Sequence, residues 1–109
     1  MAYDEKLSAR IRLLLGERSG LEEKRMFGGV GFLVNGNMAC GVHKDRLIVR
    51  VGPEKYQSAL EDDHASVFDM TGRPMLGWVM VSPPGFSTDQ ALSAWIQQGL
   101  DHALSLPPK

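Results

Sequence analysis

The chain has 109 residues, 43% hydrophobic and 23% charged, with a net charge of −1. That length fits one domain able to bury a core without disulfides or metals, and the charge balance excludes a global field that would gather nucleic acid or acidic membranes. A single cysteine, Cys40, rules out an internal disulfide and fits a reducing cytoplasm.

The N-terminal segment MAYDEKLSARIRLLL carries charges throughout and lacks the pattern of a secretory signal. No apolar run approaches the roughly 18 residues of a membrane span. Leu7, Ile11, Leu14 and Leu15 fall at helical spacing, which predicts a first helix with Asp4 as its N-cap. GERSG ends it. Residues 26–34 read as a strand, and Asn35-Gly36 between apolar runs is a strong hairpin signal. NMACGVH is the return strand, and Lys44-Asp45 turns the chain into RLIVRV. Pro53 suits the start of a second helix over about 53–61. SVFDM and GWVMVSP read as two further strands joined through TGRP. The last helix begins near Ser87 and Gln90, a capping-box pair, and carries Leu92, Trp95, Ile96, Gly99, Leu100 and Ala103 on one stripe. The tail LPPK is expected to fray. The order predicts an α+β fold, a two-layer sandwich formed by the whole chain.

Strand alternation then assigns faces. With two-residue turns at 35–36 and 44–45 and regular pairing, one face carries Gly29, Gly31, Leu33, Met38, Cys40, Val42, Leu47, Val49 and Val51. It is wholly apolar or empty and is expected to be the core, with Gly29 and Gly31 forming a smooth patch beneath a helix. The other face carries Phe32, Arg46, Ile48 and Arg50 among its residues. It is mixed, and aromatic and arginine side chains are favoured at protein interfaces.

Signals for chemistry are weak by comparison. The glycines after Lys24-Arg25 resemble a phosphate loop, yet the Walker pattern is absent and no helix follows them. Cys40 and His43 are three apart on one strand and point to opposite sides, so they form no local dyad. Glu61-Asp62-Asp63-His64 lacks a second ligand cluster and reads as a solvated helix end. His102 has no placed partner, and Trp78 and Trp95 read as core.

Three segments, KRMFGGVGFLVNGNMACGV, RLIVRVG and GRPMLGWVMV, together resemble the N-terminal domain of the TfoX/Sxy proteins, bacterial regulators of natural competence. The resemblance covers about residues 5–104. Its motif positions, taken as fold-determining, are Arg25, Met26, Phe27, Gly28, Gly29, Gly31, Asn35 and Gly36, then Gly72, Pro74, Met75, Gly77 and Trp78. It implies α-β(3)-α-β(2)-α topology with a five-stranded antiparallel sheet, similar to secretion-chaperone-like domains. It also implies a non-enzymatic regulatory role with no cofactor and no catalytic or metal-binding residues. Fuller family members act as coactivators that assist a cyclic-AMP-responsive regulator, and they carry a second, helical domain; here a stand-alone N-terminal-type domain is expected. The combined expectation is a cytoplasmic interaction module. Its contact residues would be Phe32, Arg46, Ile48, Arg50 and Arg73, and its partner a protein such as a transcription regulator or a second copy. Direct nucleic-acid binding and a small ligand on the Gly29–Gly31 patch stand as alternatives.

Overall fold

The computed structural model describes residues 3–26, 28–69 and 72–109, apart from the side chain of Met26. Phe27 of the sequence motif therefore lies outside the described residues. Helix α1 spans Glu5–Leu15, and the Asp4 carboxylate accepts from the Lys6 and Leu7 amides as its expected cap. Leu7, Ile11 and Leu15 are buried, whereas Leu14 is 37% exposed at the margin of the stripe. Strands β1 (Leu21–Met26), β2 (Gly29–Val34), β3 (Asn37–His43) and β4 (Arg46–Arg50) follow as a meander. Helix α2 is the single short turn Tyr56–Leu60, less than the 53–61 expected. Strands β5 (Ala65–Val67) and β6 (Trp78–Val81) precede a 3-10 turn at Pro83–Phe86 and helix α3 (Asp89–Ser105). Thr88, one residue beyond the expected Ser87, caps α3 by accepting from the Ala91 amide.

The fold is α+β, and among the described residues the sheet has six antiparallel strands in the order β1-β2-β3-β4-β6-β5, not five. The additional strand is β1, LEEKRM. Its four central residues are charged, so no apolar alternation marks it. It sits at the sheet edge, where charged strands resist edge-to-edge association. Its alternation is electrostatic instead. Glu23 faces the helices, where the Arg12 guanidinium donates two hydrogen bonds of 2.7 Å to its carboxylate. That contact holds the Glu23 carboxyl below its ordinary range and raises Arg12. Met26 and Gly29 face each other across the β1–β2 turn, with Gly28 at φ +74°. The expected strand over 26–34 is thus split by a tight hairpin.

The Asn35-Gly36 and Lys44-Asp45 turns form as expected, with Val34 opposite Asn37 and His43 opposite Arg46. Between them the β2–β3 pairing slips. Leu33 lies opposite Met38, but Phe32 lies opposite Cys40, leaving Ala39 as a bulge. Ala39 and Cys40 both point inward and are fully buried. One extra residue reverses the relation between faces beyond it. The correction falls on β2. Val30, Phe32 and Val34 face the helices, and Phe32 is 1% exposed in the core. Gly29, Gly31 and Leu33 turn to the other side, as does Met38. The expectation for β4 holds: Leu47 and Val49 are core, while Arg46, Ile48 and Arg50 face away.

The close helix approach expected over a sheet glycine occurs with the glycine on the helix. A Cβ at Gly99 of α3 would run into the Ala39 carbonyl and lie 3.3 Å from the Val49 side chain. Gly29 is instead required within the sheet, because a Cβ there would meet the Val42 carbonyl. Helices α1 and α3 pack against each other, and Arg10 ties them by donating to the Phe86 carbonyl at 2.9 Å and to Asp89. Tyr56 and Ala59 of α2 join the same core, so all three described helices cover one face. The C-terminal residues, expected to fray, lie against the β2–β3 turn. The Lys109 amide donates to the Asn35 carbonyl at 2.8 Å, and the buried Asn37 amide donates to the Pro107 carbonyl at 3.0 Å.

Two substitutions test this packing. Phe32→Ala is expected to lower the unfolding free energy in urea by about 3–5 kcal/mol, as for a core aromatic, whereas a surface position would cost almost nothing. Gly99→Ala in a free helix would gain about 1 kcal/mol. Here it is expected to lower the melting temperature, because the new methyl meets main-chain atoms that cannot move aside.

Candidate protein-interaction face

With three helices on one side, the other side of the sheet is left without a second layer among the described residues. β4 places Arg46, Ile48 and Arg50 there. β6 adds Trp78 and Met80, which lie opposite Arg50 and Ile48. β2 and β3 contribute Leu33, Met38 and His43, all half-buried. β1 adds Glu22 and Lys24, an exposed pair 3.7 Å apart. After β5 the chain bends so that Phe68 packs at the rim. The Phe68 and Trp78 ring centroids are 6.1 Å apart with the planes tilted by 39°.

Where β4 ends and β6 begins, an arginine lies on an aromatic ring. The Arg50 guanidinium carbon lies 5.4 Å from the Trp78 centroid. That geometry is favourable electrostatically and also limits the side chain's freedom. A hollow of about 360 Å³ lies toward the β3–β4 turn, lined by His43, Lys44, Asp45, Arg46, Phe68, Asp69 and Met80. Two of its lining side chains, Phe68 and Met80, are apolar, and the other five are polar or charged.

The expected contact residues divide. Arg46 is exposed and Arg50 half-exposed on this face, and Arg73 is exposed in the loop between β5 and β6. Ile48 points the expected way but is only 3% exposed beneath its neighbours. Phe32 lies on the opposite side, in the core. Trp78, which sequence alone placed in the core, is half-exposed on this face, while Trp95 is buried and donates to the Gly85 carbonyl. The signal for Trp78 was present in WVMV, where Val79 and Val81 alternate with Trp78 and Met80.

The remaining motif residues serve the backbone. Asn35 and Gly36 take positive φ in their turn. Gly72 and Gly77 do the same at the two ends of the Arg73–Leu76 stretch. The Gly77 carbonyl accepts from the Gly52 amide at 3.0 Å, and the Met75 amide donates to the Phe68 carbonyl at 2.9 Å. Pro74 lies in the same exposed stretch. Arg25 lies exposed on β1, on the helix side with Glu23.

Cys40, His43 and His102 are not brought together. Cys40 is fully buried and its thiol is pushed up to about 12 by desolvation. His43 is on the other side of the sheet. Burial lowers His102, as does the nearby Arg50, in part against Glu54. Among the described residues no group of three or more His, Cys, Asp or Glu side chains is placed to hold a metal ion. No described helix is long and apolar enough to cross a membrane.

The TfoX N-terminal domain family matches residues 14–103, most of the chain. The protein belongs to this family. No match was found among curated proteins or among solved structures. The matched span of this TfoX N-terminal domain runs from the end of α1 to the last turns of α3, so it includes the whole sheet and both sides of it.

The buried thiol gives a direct check on the geometry. With its pKa near 12, Cys40 in the native protein is expected to react with a thiol-specific disulfide reagent at pH 8 at least about a hundredfold more slowly than in denaturant. Rapid native-state labelling would place Cys40 at the surface instead.

Proposed function

We propose that the protein is a cytoplasmic, non-enzymatic regulatory module that acts by binding another protein through the open face of its sheet. The carrying observation is the asymmetry of the two faces. One is closed by three helices, and the other presents Arg46, Arg50, Trp78 and Met80, with a hollow beside Arg46 and Met80. Aromatic, methionine and arginine side chains are enriched at protein interfaces, where they supply contact area and charge-assisted hydrogen bonds together. Membership of the TfoX N-terminal domain family supports a regulatory role, related to competence, over an enzymatic one. The scattered positions of Cys40, His43 and His102 agree with that reading. Arg73 extends the same surface, carried on an exposed loop between two positive-φ glycines. Ile48 contributes from below, opposite Met80 on the neighbouring strand.

Site-specific photo-cross-linking tests this. A photoreactive residue at Met80 is expected to give discrete protein adducts in an extract of the source cell. The same residue at Ala94, exposed on α3, is expected to give none of them. Identical adducts from both positions, or none from Met80, would remove the open face as the interaction surface.

A further inference from the structure

The open face also carries information about what it binds. Resting on the interaction reading above, we propose that its partner is an acidic peptide segment. Two carboxylates of that segment would pair with Arg46 and Arg50, and an apolar side chain between them would lie on Met80 and Trp78.

Arg46 and Arg50 stand four residues apart on the same side of β4, so their Cα atoms are about 13 Å apart. Between them the surface is apolar, since Ile48 is buried and Met80 lies across from it on β6. Among the described residues neither arginine makes a salt bridge, and neither guanidinium donates a hydrogen bond. The arginines bonded on the helical side differ: Arg10 is held by Asp89 and the Phe86 carbonyl, and Arg12 by Glu23. A guanidinium presents five donors in a planar fork that matches a carboxylate. Arg50 is already oriented by Trp78, so less side-chain freedom is lost when a carboxylate arrives.

The charge distribution favours the same sign of partner. Glu61, Asp62, Asp63, Asp89 and Asp101 lie in or beside α2 and α3, whose buried residues belong to the helix-covered core. Two carboxylates, Asp45 and Asp69, border the hollow, where His43, Lys44 and Arg46 face them. Glu22 is occupied by Lys24 at the edge. Nucleic acid is the other anionic candidate and fits less well. The Trp78 ring carries the Arg50 guanidinium, so stacking a base there would displace it. Met80, on the same face of β6 as Trp78, suits an aliphatic anchor.

Selection from a random short-peptide display library on the immobilised full chain tests the proposal. Enriched peptides are expected to carry Asp or Glu on both sides of a large apolar residue, and their binding is expected to weaken as salt rises. Arg46→Glu with Arg50→Glu is expected to weaken them at least about tenfold. The milder Arg46→Gln with Arg50→Gln pair serves as the second variant, and its melting temperature is expected to match wild type. Neutral or basic peptides that bind and protect Met80 from cross-linking would overturn the acidic partner and leave the interaction surface standing. Absence of enriched peptides, or binding indifferent to both double variants, would overturn the proposal. So would oligothymidine binding that exceeds the peptides and is lost in the same variants.

Discussion

The contact between Gly99 of α3 and the bulged residue Ala39 of β3 sets the geometry on which the rest depends. A helix usually stands off a sheet by the length of its side chains. Here the helix backbone reaches the sheet because neither partner brings bulk: glycine on one side, alanine on the other. The bulge turns two consecutive side chains, Ala39 and Cys40, inward, and the pairing register shifts at that point. Phe32, Val30 and Val34 are thereby directed into the core beside the helix, and they fill the space around the close contact. The same shift sends Gly29, Gly31, Leu33 and Met38 outward. One residue of extra chain thus decides the composition of both faces.

The outward face follows as the remainder of that choice. A sheet covered by helices on one side keeps alternate residues of every strand for the other. In this protein those alternates are neither uniformly polar nor uniformly apolar. Arginines from β4 stand against tryptophan and methionine from β6, and the loop containing Phe68 closes the rim. Ion pairs fix the helical side, as with Arg12 and Glu23, while Arg46 and Arg50 make no salt bridge within the described residues. The division of labour is physical: one side of the sheet is satisfied internally, and the other is satisfied only in part.

Much of this was legible in the sequence. The periodicity of α1 and α3, the Asp4 cap, both later hairpin turns and the faces of β4 follow from residue type and spacing alone. The family, too, is carried by short quoted segments. Two things were not legible. β1 carries four charges in a row, and its order comes from pairing with β2 and from Arg12, neither of which is a local signal. The bulge at Ala39 leaves no mark of its own, because alanine fits a regular strand as well. It sits against Gly99, sixty residues away in the chain. With the register regular, Phe32 falls on the outer side. With the bulge it falls in the core, and Trp78 becomes the aromatic residue of the exposed face.

The placement of the two tryptophans has an optical consequence. Trp95 is shut inside the helical layer with its indole N–H bonded to the Gly85 carbonyl, and Trp78 lies on the opposite side of the sheet against a guanidinium. Each ring therefore reports on a different event in the same emission spectrum. Loss of the core moves Trp95 from an apolar, fixed setting into water. Occupation of the outer surface changes the environment of Trp78 while Trp95 stays as it is. The protein carries one chromophore in its core and another on its outer surface, separated by the thickness of a single sheet.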